Sequence, residues 1–74
     1  MKKVMAMKLN ETIAEARKRR GLTQEQLAEK LFVTRQAVSR WERGEVIPGI
    51  DMLKLISMVL EEPIVHLLDM HFPL

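Results

Sequence analysis

Between positions 35 and 43, five polar side chains recur at spacings that fit one side of a helix: Arg35, Gln36, Ser39, Arg40 and Arg43. At about 100° per residue they share an arc of about 140°. Ala37, Val38 and Trp41 fill the opposite side. One face therefore carries guanidinium, amide and hydroxyl groups and no acid, while the other is apolar and holds the only tryptophan of the chain. Guanidinium groups pair bidentately with guanine O6 and N7, carboxamides pair with adenine N6 and N7, and hydroxyls serve either. The chemistry on offer is hydrogen bonding to base edges and phosphates rather than bond breaking. One Arg or one Gln alone would read as an ordinary solvated surface. The acid-free combination reads as a recognition surface.

Such a face needs a helix that is held by others. Helix formers dominate, glycine and proline are few, and β-branched residues are scattered, so the chain is expected to be all-α. Five helices are predicted. The first spans residues 11–20, with Asn10 as N-cap, Gly21 as stop, and Leu9, Ile13 and Ala16 on its inner side. The second spans 24–31, where Thr23 and Gln26 form a capping box and Leu27, Ala28 and Leu31 face inward. The third spans 35–43, capped by Thr34 and ended by Gly44. A fourth spans 50–60, and a fifth spans 63–69 with Pro63 in its first turn. Only Phe32, Val33 and Thr34 separate the second and third helices. Two short helices joined this closely make a helix-turn-helix, whose second helix enters the DNA major groove with its N-terminal residues deepest, here Arg35 and Gln36.

The 74 residues make one domain. Residues 1–44 carry 11 basic and 5 acidic side chains; the remaining 30 carry 1 and 5. This split places a polyanion-binding face in the first part and a different use in the second. With no cysteine, disulfide scaffolds, iron–sulfur clusters and cysteine-ligated zinc are excluded. A hydrophobic fraction of 47% argues against disorder. The apolar run at positions 4–7 is too short for a signal peptide, and no stretch approaches a membrane span.

The segments LTQEQLAEKL (residues 22–31) and TRQAVSRWERG (residues 34–44), followed by Pro48 and Ile50 in register, closely resemble the Cro/CI-type (Xre-like) repressor family. The resemblance runs from about Leu9 to Leu68. It implies a compact five-helix, lambda-repressor-like domain that binds operator DNA, commonly as a dimer. It also implies roles. Arg35, Gln36, Ser39 and Arg40 match base-contacting positions. Arg17, Thr23, Gln24, Thr34 and Arg43 match phosphate-contacting ones, and helix N-termini such as that at Gln24 attract anions in general. Arg17 and Glu42 match an ion bridge between the first helix and the end of the third. Lys18 and Arg19 also read as a solvated face or as favourable charge at a helix C-terminus.

Four positions depart from the family. Phe32 stands where glycine commonly supplies a positive φ, so it either accepts strain of about 1–2 kcal/mol or bends the turn, and its ring is then available on the surface. Gly49 weakens the cap of the fourth helix. Glu61 and Glu62 replace a glycine and an aliphatic residue after it.

The fourth helix is apolar nearly all round. Ile50, Leu53, Ile56 and Leu60 form the arc a core requires, and Met52, Leu55, Met58 and Val59 fill much of the rest. Two readings fit this surplus. One is a homodimer interface built from Met52, Leu55, Met58, Val59, Val65, Leu68 and Phe72, with Leu74 beside them; it would be isologous. The other is extra cover for the monomer core. His66, Asp69 and His71 lack the spacing of a metal site, and no nucleophile motif links Ser39, Ser57, His66 and Asp51.

The expected organisation is a flexible basic arm over residues 1–8 (with Lys2, Lys3 and Lys8), the DNA-binding domain over 9–70 and a tail over 71–74. The expected function is a sequence-specific, double-stranded-DNA-binding regulator. It would be a repressor that occupies a near-palindromic operator as a homodimer, in the cytoplasm at the nucleoid. No metal, cofactor, small-molecule ligand, membrane partner or enzymatic activity is expected. The competing expectation is an antitoxin- or antirepressor-like module whose apolar second half binds a partner protein.

Overall fold

A computed structural model of the chain describes residues 5–63, with side chains from Leu9 onward. Four helices make up the described residues: α1 (Met5–Arg19), α2 (Gln24–Leu31), α3 (Arg35–Glu42) and α4 (Ile50–Leu60). The expected fifth helix falls from residue 64 on outside the described residues, as do Val65, Leu68 and Phe72 of the expected interface and the His66, Asp69 and His71 group.

α1 starts earlier than expected. Asn10 is not its N-cap but lies within it, because the helix formers just before Asn10 carry the helix back to Met5. Positions 5–8, assigned to a basic arm from sequence, are thus helical backbone. Freed from capping, the Asn10 amide reaches the end of α3, where its Nδ2 donates to the Glu42 carbonyl at 2.9 Å. α2 begins with the expected capping box. The Gln26 N–H donates to Thr23 Oγ1 at 3.0 Å, and the Thr23 N–H donates to Gln26 Oε1 at 2.9 Å. Thr34 caps α3 by accepting the Ala37 N–H at 3.1 Å. Each such cap contributes about 1 kcal/mol.

One core joins the helices. Leu9, Ile13 and Ala16 of α1, Leu27, Ala28 and Leu31 of α2, Val38 and Trp41 of α3, and Leu53, Ile56 and Leu60 of α4 are all buried in one cluster. Leu22, Val33, Ala37, Met52 and Val59 pack against it. Met52 and Val59, expected at a subunit interface, are therefore half-buried against their own core. Their positions on the helix turn them toward Leu53, Ile56 and Leu60 rather than away. Ile50, expected in the core, is 56% exposed because it opens α4 before the helix meets the other elements. Leu55 and Met58 remain exposed as anticipated.

Phe32 takes the strained alternative. It adopts the left-handed conformation (φ 60°, ψ 41°) that ends α2, and its ring is 95% exposed. Glu61 does the same after α4 at φ 57°. The basic cluster at the end of α1 secures that region. Arg19 Nη2 pairs with Glu62 at 2.7 Å, Arg20 Nη2 pairs with Glu61 at 3.3 Å, and Arg20 Nε donates to the Leu60 carbonyl at 2.9 Å. The Ser57 hydroxyl also donates to the Glu62 carbonyl. Gly49 caps α4 with no side-chain bond, as its lack of a side chain requires.

Candidate nucleic-acid interface

α3 is seated by its apolar side. Val38 is fully buried and Trp41 nearly so, which fixes the rotation of the helix about its own axis. The rotation sends Arg35, Gln36 and Arg40 outward as exposed side chains, with Ser39 half-buried between them. Together with Arg43 they line a single depression on the surface. The five residues grouped from their spacing therefore do converge, and none of the five is acidic.

The far end of α3 is clamped by an ionic network that the sequence pattern revealed only in part. Arg17 donates to both Glu42 oxygens, from Nε at 2.6 Å and Nη2 at 3.0 Å, and from Nη1 to the Leu22 carbonyl at 2.8 Å. Gln24 Nε2 donates to Glu42 Oε1 at 3.0 Å. The side chains of Arg17 and Glu42 are 11% and 7% exposed. The expected ion bridge is in place, but every guanidinium nitrogen of Arg17 has an internal partner. Its geometry is that of a buried tie between α1 and α3. With Asn10 on the Glu42 carbonyl, α1 and α2 together hold one residue at the end of α3.

Gly44 follows, at φ 76°, a left-handed turn that lets the chain leave α3. A Cβ there would touch the Asn10 amide at 3.5 Å in addition to straining the backbone. The turn brings Glu45 beside Arg43. Arg43 donates from Nε to Oε2 at 2.8 Å and from Nη2 to Oε1 at 3.2 Å, while its Nη1 donates to Ser39 Oγ at 2.6 Å. Hydrogen bonding to Arg43 and the charges of Arg43 and Arg40 hold the Glu45 carboxyl below its ordinary range, and the same contact raises Arg43. Nothing in the sequence singles out Asn10 or Glu45 as a site residue. Asn10 resembles a cap, and Glu45 lies two residues from Arg43 across a glycine, a spacing that couples side chains only when the turn folds back.

The remaining expected contacts lie along the same region. Thr23 and Thr34 are exposed at the starts of α2 and α3, with their hydroxyl oxygens already accepting the capping bonds. Gln24 is half-buried, with one amide hydrogen given to Glu42. No helix among the described residues is long and apolar enough to cross a membrane.

A family model described as helix-turn-helix matches residues 13–67, most of the chain. Among curated proteins, the HTH-type transcriptional activator BcrR of Enterococcus faecalis is 45% identical over 63 residues, which are 85% of this chain and 31% of BcrR. The chain thus spans about a third of that relative. Among solved structures, PlcR of Bacillus thuringiensis, determined with the peptide PapR7 and DNA, is 43% identical with a TM-score of 0.75, covering 82% of this chain and 21% of PlcR. A point mutant of the restriction-modification controller protein C.Esp1396I is 32% identical with a TM-score of 0.76, covering 93% of this chain and 87% of that one. With the helix-turn-helix of α2 and α3 and its matching relatives in hand, the chain belongs to the Cro/CI-type (Xre-like) helix-turn-helix family of DNA-binding transcriptional regulators, which are not enzymes.

Proposed function

We propose that this chain is a cytoplasmic repressor that binds a near-palindromic operator as a homodimer, with α3 in the major groove. The observation that carries the reading is the depression lined by Arg35, Gln36, Ser39, Arg40 and Arg43, backed by the buried Val38 and Trp41. Arg35, Gln36, Ser39 and Arg40 read base edges, with the first two deepest because they open the helix. Thr23, Gln24 and Thr34 at the helix starts and Arg43 at the end of α3 contact the flanking phosphates, which sets docking without carrying sequence information. A carboxamide has two N–H donors, so Gln24 serves Glu42 and a phosphate together. Arg17 acts through Glu42, by holding α3 at its angle.

Dimerisation is supported by Leu55 and Met58, which α4 leaves exposed on the side away from its core residues. Two copies related by a two-fold axis would set their recognition helices about 34 Å apart, one DNA turn. Selection of bound sites from random duplexes tests the whole reading. A single enriched motif with two inverted half-sites is expected, and its placement over a promoter should lower transcription in vitro. Enrichment of no motif removes sequence-specific recognition, and a single unrepeated half-site removes the dimer.

A further inference from the structure

Glu45 is the acid that the fold delivers to the edge of the reading face. Its N–H donates to the Arg40 carbonyl at 2.9 Å, which anchors the backbone after the Gly44 turn. Its carboxylate then accepts from two nitrogens of Arg43, and the third nitrogen donates to the Ser39 hydroxyl oxygen. The guanidinium is stretched between loop and helix with each nitrogen engaged, and both Arg43 and Ser39 line the depression. A carboxylate offers arginine the same paired acceptor oxygens that a phosphate offers.

We propose that Glu45 is an internal stand-in for a DNA phosphate: it occupies Arg43 in the free protein, competes with the DNA backbone for that guanidinium, and so limits the sequence-independent affinity of this face. The proposal rests on the DNA-binding reading above. The two side chains are 56% and 52% exposed, so water weakens their pairing and a phosphate can displace it. The Arg17–Glu42 pair, buried and shared with Gln24, is not open to such an exchange. When Arg43 swings to the backbone, the Ser39 hydroxyl loses its guanidinium donor and becomes available to a base edge. One exchange thus couples phosphate engagement to base reading.

The test uses the full chain and a mixed-sequence duplex, followed by fluorescence anisotropy across a series of salt concentrations. Glu45→Gln keeps the shape and removes the charge. It should bind about three-fold more tightly, the scale of an exposed ion pair. Its slope of log K against log salt should differ from wild type by much less than about 0.9, the slope of one phosphate contact, because Arg43 neutralises the same phosphate in both proteins. In an Arg43→Gln background the same substitution should change neither quantity. Unchanged or weaker binding by Glu45→Gln overturns the proposal. An equal gain in both backgrounds also overturns it, because the effect would then be repulsion of DNA by Glu45 alone. Arg40→Ala, measured alongside, separates the two readings. If it weakens binding while Glu45→Gln is neutral, the DNA-binding reading stands and the clamp fails. If none of the proteins binds the duplex, the DNA-binding reading itself fails and takes the clamp with it.

Discussion

Arg17 grips Glu42 through two nitrogens, at 2.6 and 3.0 Å, across 25 residues of chain. The contact joins the first helix to the last residue of α3, so the angle of α3 is set from the far side of the domain. A buried pair of this kind adds little net stability over an apolar replacement, yet losing one partner strands a charge. Glu42→Ala should therefore lower unfolding stability by about 3 kcal/mol. The double variant Arg17→Met with Glu42→Leu should lose less than Glu42→Ala alone. Urea denaturation of the three proteins measures both.

Phe32 holds a left-handed backbone conformation and leaves its ring in solvent. No packing is lost when the ring is removed, and glycine relieves the Cβ clash. Phe32→Gly should raise stability by about 1 kcal/mol. Phe32→Ala, which keeps the Cβ, should gain nothing by this route. Equal stability of the two variants would show that the turn carries no such strain.

On a selected operator, Arg35→Ala and Gln36→Ala should each lose about 1–3 kcal/mol of discrimination at one base position. Gln24→Ala and Arg43→Ala should weaken binding to every sequence alike. Competition titrations with single-base operator variants distinguish the two patterns.

Leu55→Glu and Met58→Glu place a charge on the exposed side of α4, away from Leu53, Ile56 and Leu60. Each should leave the helical content intact and turn a dimer into a monomer. Sedimentation equilibrium provides the measurement, and a monomeric wild-type protein would end the interface proposal.

The Glu45 carboxyl should titrate below its ordinary value of 4.5. A carboxyl lowered by folding stabilises the native state above its unfolded pKa, and that contribution disappears as the pH falls through the folded value. The pair is therefore complete at neutral pH and opens on acidification below the usual carboxylate range. Carbon NMR of the side chain should show the low midpoint in the wild type. Arg43→Gln should return it toward 4.5.

The helix-turn-helix was legible because its signals are local. Thr23 with Gln26, Thr34, the short turn and the period of Leu27, Leu31, Val38 and Trp41 each act within a few residues. α2 and α4 match their expected limits, Gln24–Leu31 and Ile50–Leu60, for the same reason. What escaped depends on long-range packing. Asn10 looks like a cap until α3 is placed beside it. Arg19 and Arg20 look solvated until Glu61 and Glu62 arrive from about 40 residues away along the chain. Met52 and Val59 look surplus until the core is assembled, since a nearly all-apolar helix does not announce which side faces inward.

The burial of Trp41 has a practical corollary. The chain has one tryptophan and no tyrosine, and that indole sits on the hidden side of α3. Its emission is thus an intrinsic optical gauge of one event, the seating of α3 on the rest of the domain. Solvent quenchers should reach it only when that seat opens. A ligand on the opposite side of α3 would register through changes in the seat rather than by direct contact with the ring.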